Sequence, residues 1–160
     1  PLNAYESWML YAAEIGHWQG RGFGMWMIHR KDTDETVGMA GGWFPAKWPE
    51  REIAWIIWPD RAGKGFALEA THRVRRYFYD EKGWDTAVSY LDPKNLDSIR
   101  LAERLGAKKD HDAPTVDGND VCYRHPAPDA LRGTQLGHGI DMEIAHYQDP
   151  LFKPKGWAID

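Results

Sequence analysis

The chain has little of what would make it a disulfide scaffold, a membrane protein or a binder of nucleic acid. Its one cysteine, Cys122, has no partner for an internal disulfide, which fits a reducing, cytoplasmic setting. No run approaches the ~20 apolar residues of a membrane span, and no charged-then-apolar signal segment opens the chain. Positive charge is not in excess: 20 Lys and Arg stand against 24 Asp and Glu, for a net charge of −4. A basic field of the kind that holds nucleic acid is therefore missing at the whole-chain level. The seven histidines show no His-x-x-x-His spacing and there is no Cys-x-x-Cys pair, so no metal site is expected. Repeats and low-complexity runs are also absent. A length of 160 residues suits one core that buries about 70% of the unfolded surface.

What is present is an alternation of strand and helix patterns. Residues 4–18 read as a helix fading near Gly16, Phe23–His29 and Thr36–Phe44 as a strand pair across the polar turn Lys31–Glu35, and Glu52–Trp58 as a buried strand stopped by Pro59. Residues 65–81 contain no Pro and no Gly after Gly65, and space their apolar residues helically. A strand near Thr86–Leu91 follows, then a helix over Leu96–Leu105 with Asn95 as N-cap and Gly106 at its end. A last pair, Ala107–His111 and Val121–His125, completes a mixed α/β domain. The domain is expected to span residues 1–126. Residues 127–160, rich in Pro, Gly and His, are expected to pack on it or on a neighbouring chain. Four tryptophans, Trp43, Trp48, Trp55 and Trp58, crowd ahead of the second helix. They fit either core packing or the lining of a cleft.

The chemistry concentrates in Arg61-Ala-Gly-Lys-Gly-Phe-Ala67, the turn between a buried strand and that helix. Glycines there let backbone N–H groups approach a ligand, and a helix N-terminus attracts an anion. Two familiar nucleotide motifs do not fit. Leu68 stands where the third glycine of Gly-x-Gly-x-x-Gly belongs, and Phe66 where a P-loop needs Ser or Thr.

The run Arg61–Ala70 resembles the acyl-CoA-binding turn of the GNAT superfamily of N-acetyltransferases, and most of all the branch of the ribosomal-protein N-terminal alanine acetyltransferases. Asn95-Leu-Asp-Ser98, with Glu103 and Gly106 beyond it, resembles that family's second element. The resemblance implies a mostly antiparallel twisted sheet with flanking helices, here without the family's first strand and helix. That leaves an open sheet edge through which a homodimer is expected. It also implies acetyl-CoA as cosubstrate, held by Arg61, Ala62, Gly63, Lys64, Gly65, Phe66 and Ala67. Backbone N–H groups at Ile57 and Trp58, and the side chains of Asn95 and Ser98, would meet the pantetheine and thioester.

By the same resemblance the acetyl group passes directly to a primary amine of a small molecule or a protein N-terminus, without a covalent intermediate on Cys122. Glu52 is the expected base, its carboxyl hemmed by tryptophans; the competing reading is a surface ion pair with Arg51 or Lys47. The position of the family's proton-donating tyrosine is Ala102, which leaves Ser98 as substitute acid. Trp43 and Trp48 are expected along the acceptor's path, and Glu50, Glu52 and Asp112 would favour a cationic acceptor if they line the cleft. Two alternatives stay open: an acyl-CoA-binding module with little catalysis, and a dimerising interaction protein.

Overall fold

The computed structural model describes residues 2–132 and 134. Helix α1 (Ala4–Arg21) starts with a capping box: the Asn3 side chain accepts the Glu6 N–H, and the Glu6 carboxylate accepts the Asn3 N–H. It ends at Gly22, whose φ of 71° is the left-handed turn that glycine adopts without strain. Strands β1 (Met25–His29) and β2 (Thr36–Trp43) form the expected hairpin, and β3 (Glu52–Ile57) pairs antiparallel with β2. After a short 3₁₀ turn at Pro59–Arg61 come α2 (Phe66–Asp80), β4 (Val88–Leu91), α3 (Leu96–Arg104), β5 (Lys108–Lys109) and β6 (Val121–Arg124). The β5 pairing covers two residues of the five expected, because only Lys108 and Lys109 find partners on β6.

The sheet runs β1-β2-β3-β4-β6-β5. All neighbours are antiparallel except β3 and β4, joined through the crossover helix α2. Helices α2 and α3 cover one face. Phe78 of α2 stacks on Trp84 at 4.0 Å and packs with Ile53, Ala40 and Phe23. A Cβ on Gly42 would lie 2.4 Å from the Phe78 ring, so glycine is what lets helix and sheet approach there. Leu68, Leu101, Leu105 and Trp55 knit α2 to α3.

Helix α1 is held at its C-terminal end. His17 is its one buried residue, bonding Phe23 O at 2.7 Å and accepting the Phe44 N–H at 2.8 Å. Trp18 Nε1 donates to Met25 O at 3.1 Å. Residues from 126 on pack back on the sheet and helices: the Tyr79 hydroxyl donates to Pro126 O, and a helical turn, α4 (Pro128–Leu131), sets Leu131 against the core. The remainder of the expected C-terminal extension, 135–160, lies outside the described residues. Among those described, β1 and β5 are the sheet edges.

Candidate functional site

The site begins where the parallel pair opens. β3 and β4 share a single register pair, Glu52↔Val88, with Val88 N–H donating to Arg51 O at 3.1 Å. Beyond it the strands part. Backbone groups along β3 alternate between its two neighbours. The Trp58 N–H lies on the β2 side, donating to Val37 O at 2.9 Å, so Ile57 and Trp55 turn theirs to the open side. The expectation that Trp58 offers its N–H to a ligand is therefore corrected: the sheet uses it, and Trp58 does not border the opening.

A groove of about 630 Å³ runs from this fork to the start of α2, within the range of small-molecule sites. The whole turn from Arg61 to Ala67 lines it, together with Ile57, Asn95 and Ser98. Gly63 and Gly65 adopt φ of 75° and 85°, and no side chain among the described residues caps α2. The first N–H groups of this helix, left without intrahelical acceptors, face a concave opening, an arrangement that suits phosphate. Of the two basic residues expected here, Lys64 has no ion pair among the described residues. Arg61 is engaged by Glu35 and Asp60.

Further positive charge comes from residues the sequence reading passed over, Arg100 and Arg104 of α3, which also border the groove. Their i,i+4 spacing after Asn95 was the available signal. The arginines of α2 do not reach it: Arg73 is exposed, Arg75 is buried and Arg76 pairs with Asp80.

Asn95 does cap α3, its Oδ1 accepting the Ser98 N–H at 3.1 Å. Its amide NH₂ is not used in that bond. The Ser98 Oγ accepts Trp55 Nε1 at 3.3 Å, which leaves the hydroxyl proton to donate into the groove. Ala102 is fully buried among Leu91, Ala107 and Tyr123, so that position faces the core here.

Glu52 lies at the point of the fork, 7% exposed. One carboxyl oxygen accepts Trp48 Nε1 at 2.5 Å and the other the Tyr90 N–H at 3.2 Å. Burial pushes its pKa up to about 7 against the pull of these two donors. The surface pairing with Arg51 or Lys47 is absent from this arrangement. His17 stacks on Trp43 at 4.6 Å, and Trp43 meets Trp48 edge-on at 6.3 Å, so a row of rings shields the carboxyl.

Glu50 is not available to a cation, because Arg124 holds both its oxygens at 2.7 and 2.8 Å and binds Asp110 at 2.7 Å. Asp112 is exposed in the β5–β6 loop. Two further polar groups went unread in the sequence. The Tyr90 hydroxyl and one oxygen of Glu14 are buried without a partner among the described residues, and burial raises the pKa of both groups. The Cys122 thiol is buried and pushed up to about 12 by that burial, so it is no nucleophile at neutral pH.

Comparison with known proteins follows the same lines. A family model, the Acetyltransferase (GNAT) domain, matches residues 1–108. The crystal structure of an acetyltransferase from Agrobacterium tumefaciens str. C58 superposes with a TM-score of 0.74 and 31% identity, covering 79% of this chain and 74% of that one. A spermidine N-acetyltransferase from Vibrio cholerae, solved with CoA and spermine, shares the fold at 16% identity, with a TM-score of 0.62 over 81% of this chain and 79% of the other. YkkB of Bacillus subtilis (strain 168) is 30% identical over 91 residues, 55% of this chain and 52% of YkkB. The chain thus spans about half the length of that curated relative. The family model covers well over half of the chain, and the chain belongs to the GNAT family of acetyltransferases.

Proposed function

We propose that the protein transfers an acetyl group from acetyl-CoA to a primary amine of a small molecule or a protein N-terminus. The observation that carries this reading is the groove at an uncapped, glycine-started helix; on β3, the strand that lends the groove Trp55 and Ile57, the buried Glu52 carboxyl at the fork has a pKa near neutrality. The pyrophosphate rests on the N–H groups of Gly63 to Ala67, with Lys64 neutralising charge. The pantetheine arm lies in the fork against the free N–H of Ile57, and Asn95 contacts it from α3. The thioester carbonyl is polarised by those strand N–H groups.

The acceptor enters past Trp43 and Trp48, and Glu52, directly or through one water, takes the proton of its ammonium. The amine lone pair then attacks the carbonyl carbon, the C–S bond breaks, and the thiolate leaves against the Ser98 hydroxyl and is protonated to free CoA. The products are an amide and a thiol. Glu52 works as a base only when ionised, so the rate rises with pH through about 7. The finer placement, near the enzymes that acetylate N-terminal alanine of ribosomal proteins, rests on the run Gly63–Ala70.

A thiol-release assay over a panel of amines tests the reading, with calorimetry of acetyl-CoA alongside. Release that needs both acetyl-CoA and an amine supports it. The fully buried Ala102, which carries no proton donor, favours a second reading as a binding module. Micromolar binding with no release from any amine establishes that one instead.

A further inference from the structure

The described residues hold a buried polar chain that the acetyl transfer above leaves unused. Arg75 of α2 is 1% exposed, His125 2% and Ser89 of β4 0%. Among the described residues, no carboxylate meets this buried guanidinium. Its Nη1 donates to Leu105 O at 2.5 Å, at the negative end of the α3 dipole, and lies 3.5 Å from His125 Nδ1. His125 Nε2 is 3.0 Å from Ser89 Oγ, and Ser89 Oγ donates to Ile53 O at 2.6 Å. The proton positions follow. Ser89 gives its only proton to Ile53 O, so it accepts from Nε2–H, and the Nδ1 lone pair faces the arginine. Burial and the adjacent cation drive His125 down to about 3, so it stays neutral throughout the range in which the protein works.

The end of this chain lies at the fork. In a parallel ladder the rung after Glu52↔Val88 is Tyr90 N–H to Ile53 O. Neither group makes it. Tyr90 N–H goes to the Glu52 carboxylate, and Ile53 O is taken by the Ser89 hydroxyl. Two side chains, one on each face of the sheet, have each claimed one half of the missing rung.

We infer that Ser89, locked by His125 and Arg75, is a positioning residue that keeps β3 and β4 apart and so sets the width of the opening that admits the pantetheine and thioester. The inference rests on the acetyl-CoA reading of the groove. Glu52 then has two tasks, wedge and base, whereas Ser89 has only the first. Without the serine hydroxyl the Ile53 carbonyl is a buried acceptor lacking a donor, and the nearest donor able to satisfy it is the Tyr90 N–H. The ladder gains a rung and the opening narrows.

The test compares wild type with Ser89→Ala, and with Ser89→Cys, which keeps a weak donor. If the alanine variant does not fold, the cysteine variant carries the same comparison. For Ser89→Ala the acetyl-CoA dissociation constant and KM rise about tenfold, while the acceptor KM stays the same. Exchange of the Tyr90 amide, followed by NMR on the unliganded protein, slows about tenfold or more, with Ser89→Cys in between. A lower melting temperature with affinity and Tyr90 exchange unchanged makes Ser89 merely structural and overturns the inference. Binding by wild type without acetyl transfer removes the catalytic reading alone, and the affinity and exchange arms still decide the fork. No acetyl-CoA binding by folded wild type removes both.

Discussion

The groove at the start of α2 and the fork beside it are built by opposite rules. At the α2 end the ligand-facing groups are backbone: glycines at positive φ and a helix left uncapped. At the fork the decisive groups are side chains: a buried carboxyl with both oxygens matched to donors, walled by indoles. The first end attracts charge from water into an open concavity. The second uses the removal of water to move a proton affinity. Holding a phosphate needs only donors left free and a clear approach, whereas tuning a base needs burial and therefore more of the chain. Mutations should separate the two.

The largest separation is expected from Glu52→Gln. It lowers kcat by about 10²–10⁴ and leaves acetyl-CoA affinity within a few-fold of wild type, read by steady-state kinetics and calorimetry. Gly63→Trp acts on the other end. Its Cβ enters open space, but the positive φ strains any side chain and the indole fills the concavity. Affinity should fall about 100-fold, roughly 2.7 kcal/mol, and the pH dependence of the residual rate should be unchanged. An equal loss of kcat at saturation would show that the ends are not separable.

Stability offers a third measurement. The Glu52 pKa is raised from 4.5 to about 7. Its contribution is therefore fully present below about 4.5 and is lost as pH rises through about 7, by about 3 kcal/mol in all. Urea unfolding of wild type against Glu52→Gln between pH 4.5 and 8 should show this slope in wild type alone. Trp48→Phe keeps the ring wall but removes a donor to Glu52. The pKa moves further up, and the acid limb of the pH–rate profile shifts to higher pH. The smallest effect belongs to a control. Asn3→Ala removes the α1 cap at a cost of about 1 kcal/mol, with no change in affinity or pH profile.

The α2 end was the more legible in sequence, and the rules above explain it. Gly63, Gly65 and the helix after them are contiguous, so local chemistry states the arrangement, and the strands and helices fell within a few residues of expectation. The fork joins residues far apart in the chain. Glu52 stood out as a strand-end acid flanked by tryptophans, yet nothing local said that Tyr90 would donate to it or that Ser89 would reach Ile53. Trp58 failed for a related reason: strand alternation predicts that N–H groups take turns, but not which neighbour each turn faces. Arg75 is one of three arginines close together on its helix, and nothing local marks it for burial. Its burial came from the end of α3, some 30 residues later.

The short bond from the Trp48 indole to the Glu52 carboxylate has an optical consequence. An indole whose N–H ends on a negative oxygen absorbs and emits differently from one whose acceptor has become neutral. The difference spectrum between wild type and Trp48→Phe cancels most of the other eight tryptophans. It isolates a single chromophore that follows the proton on a single carboxyl, with a midpoint near 7. The protein thus carries an unlabelled indicator of its own ionisation, readable in the resting state before any acceptor amine is known.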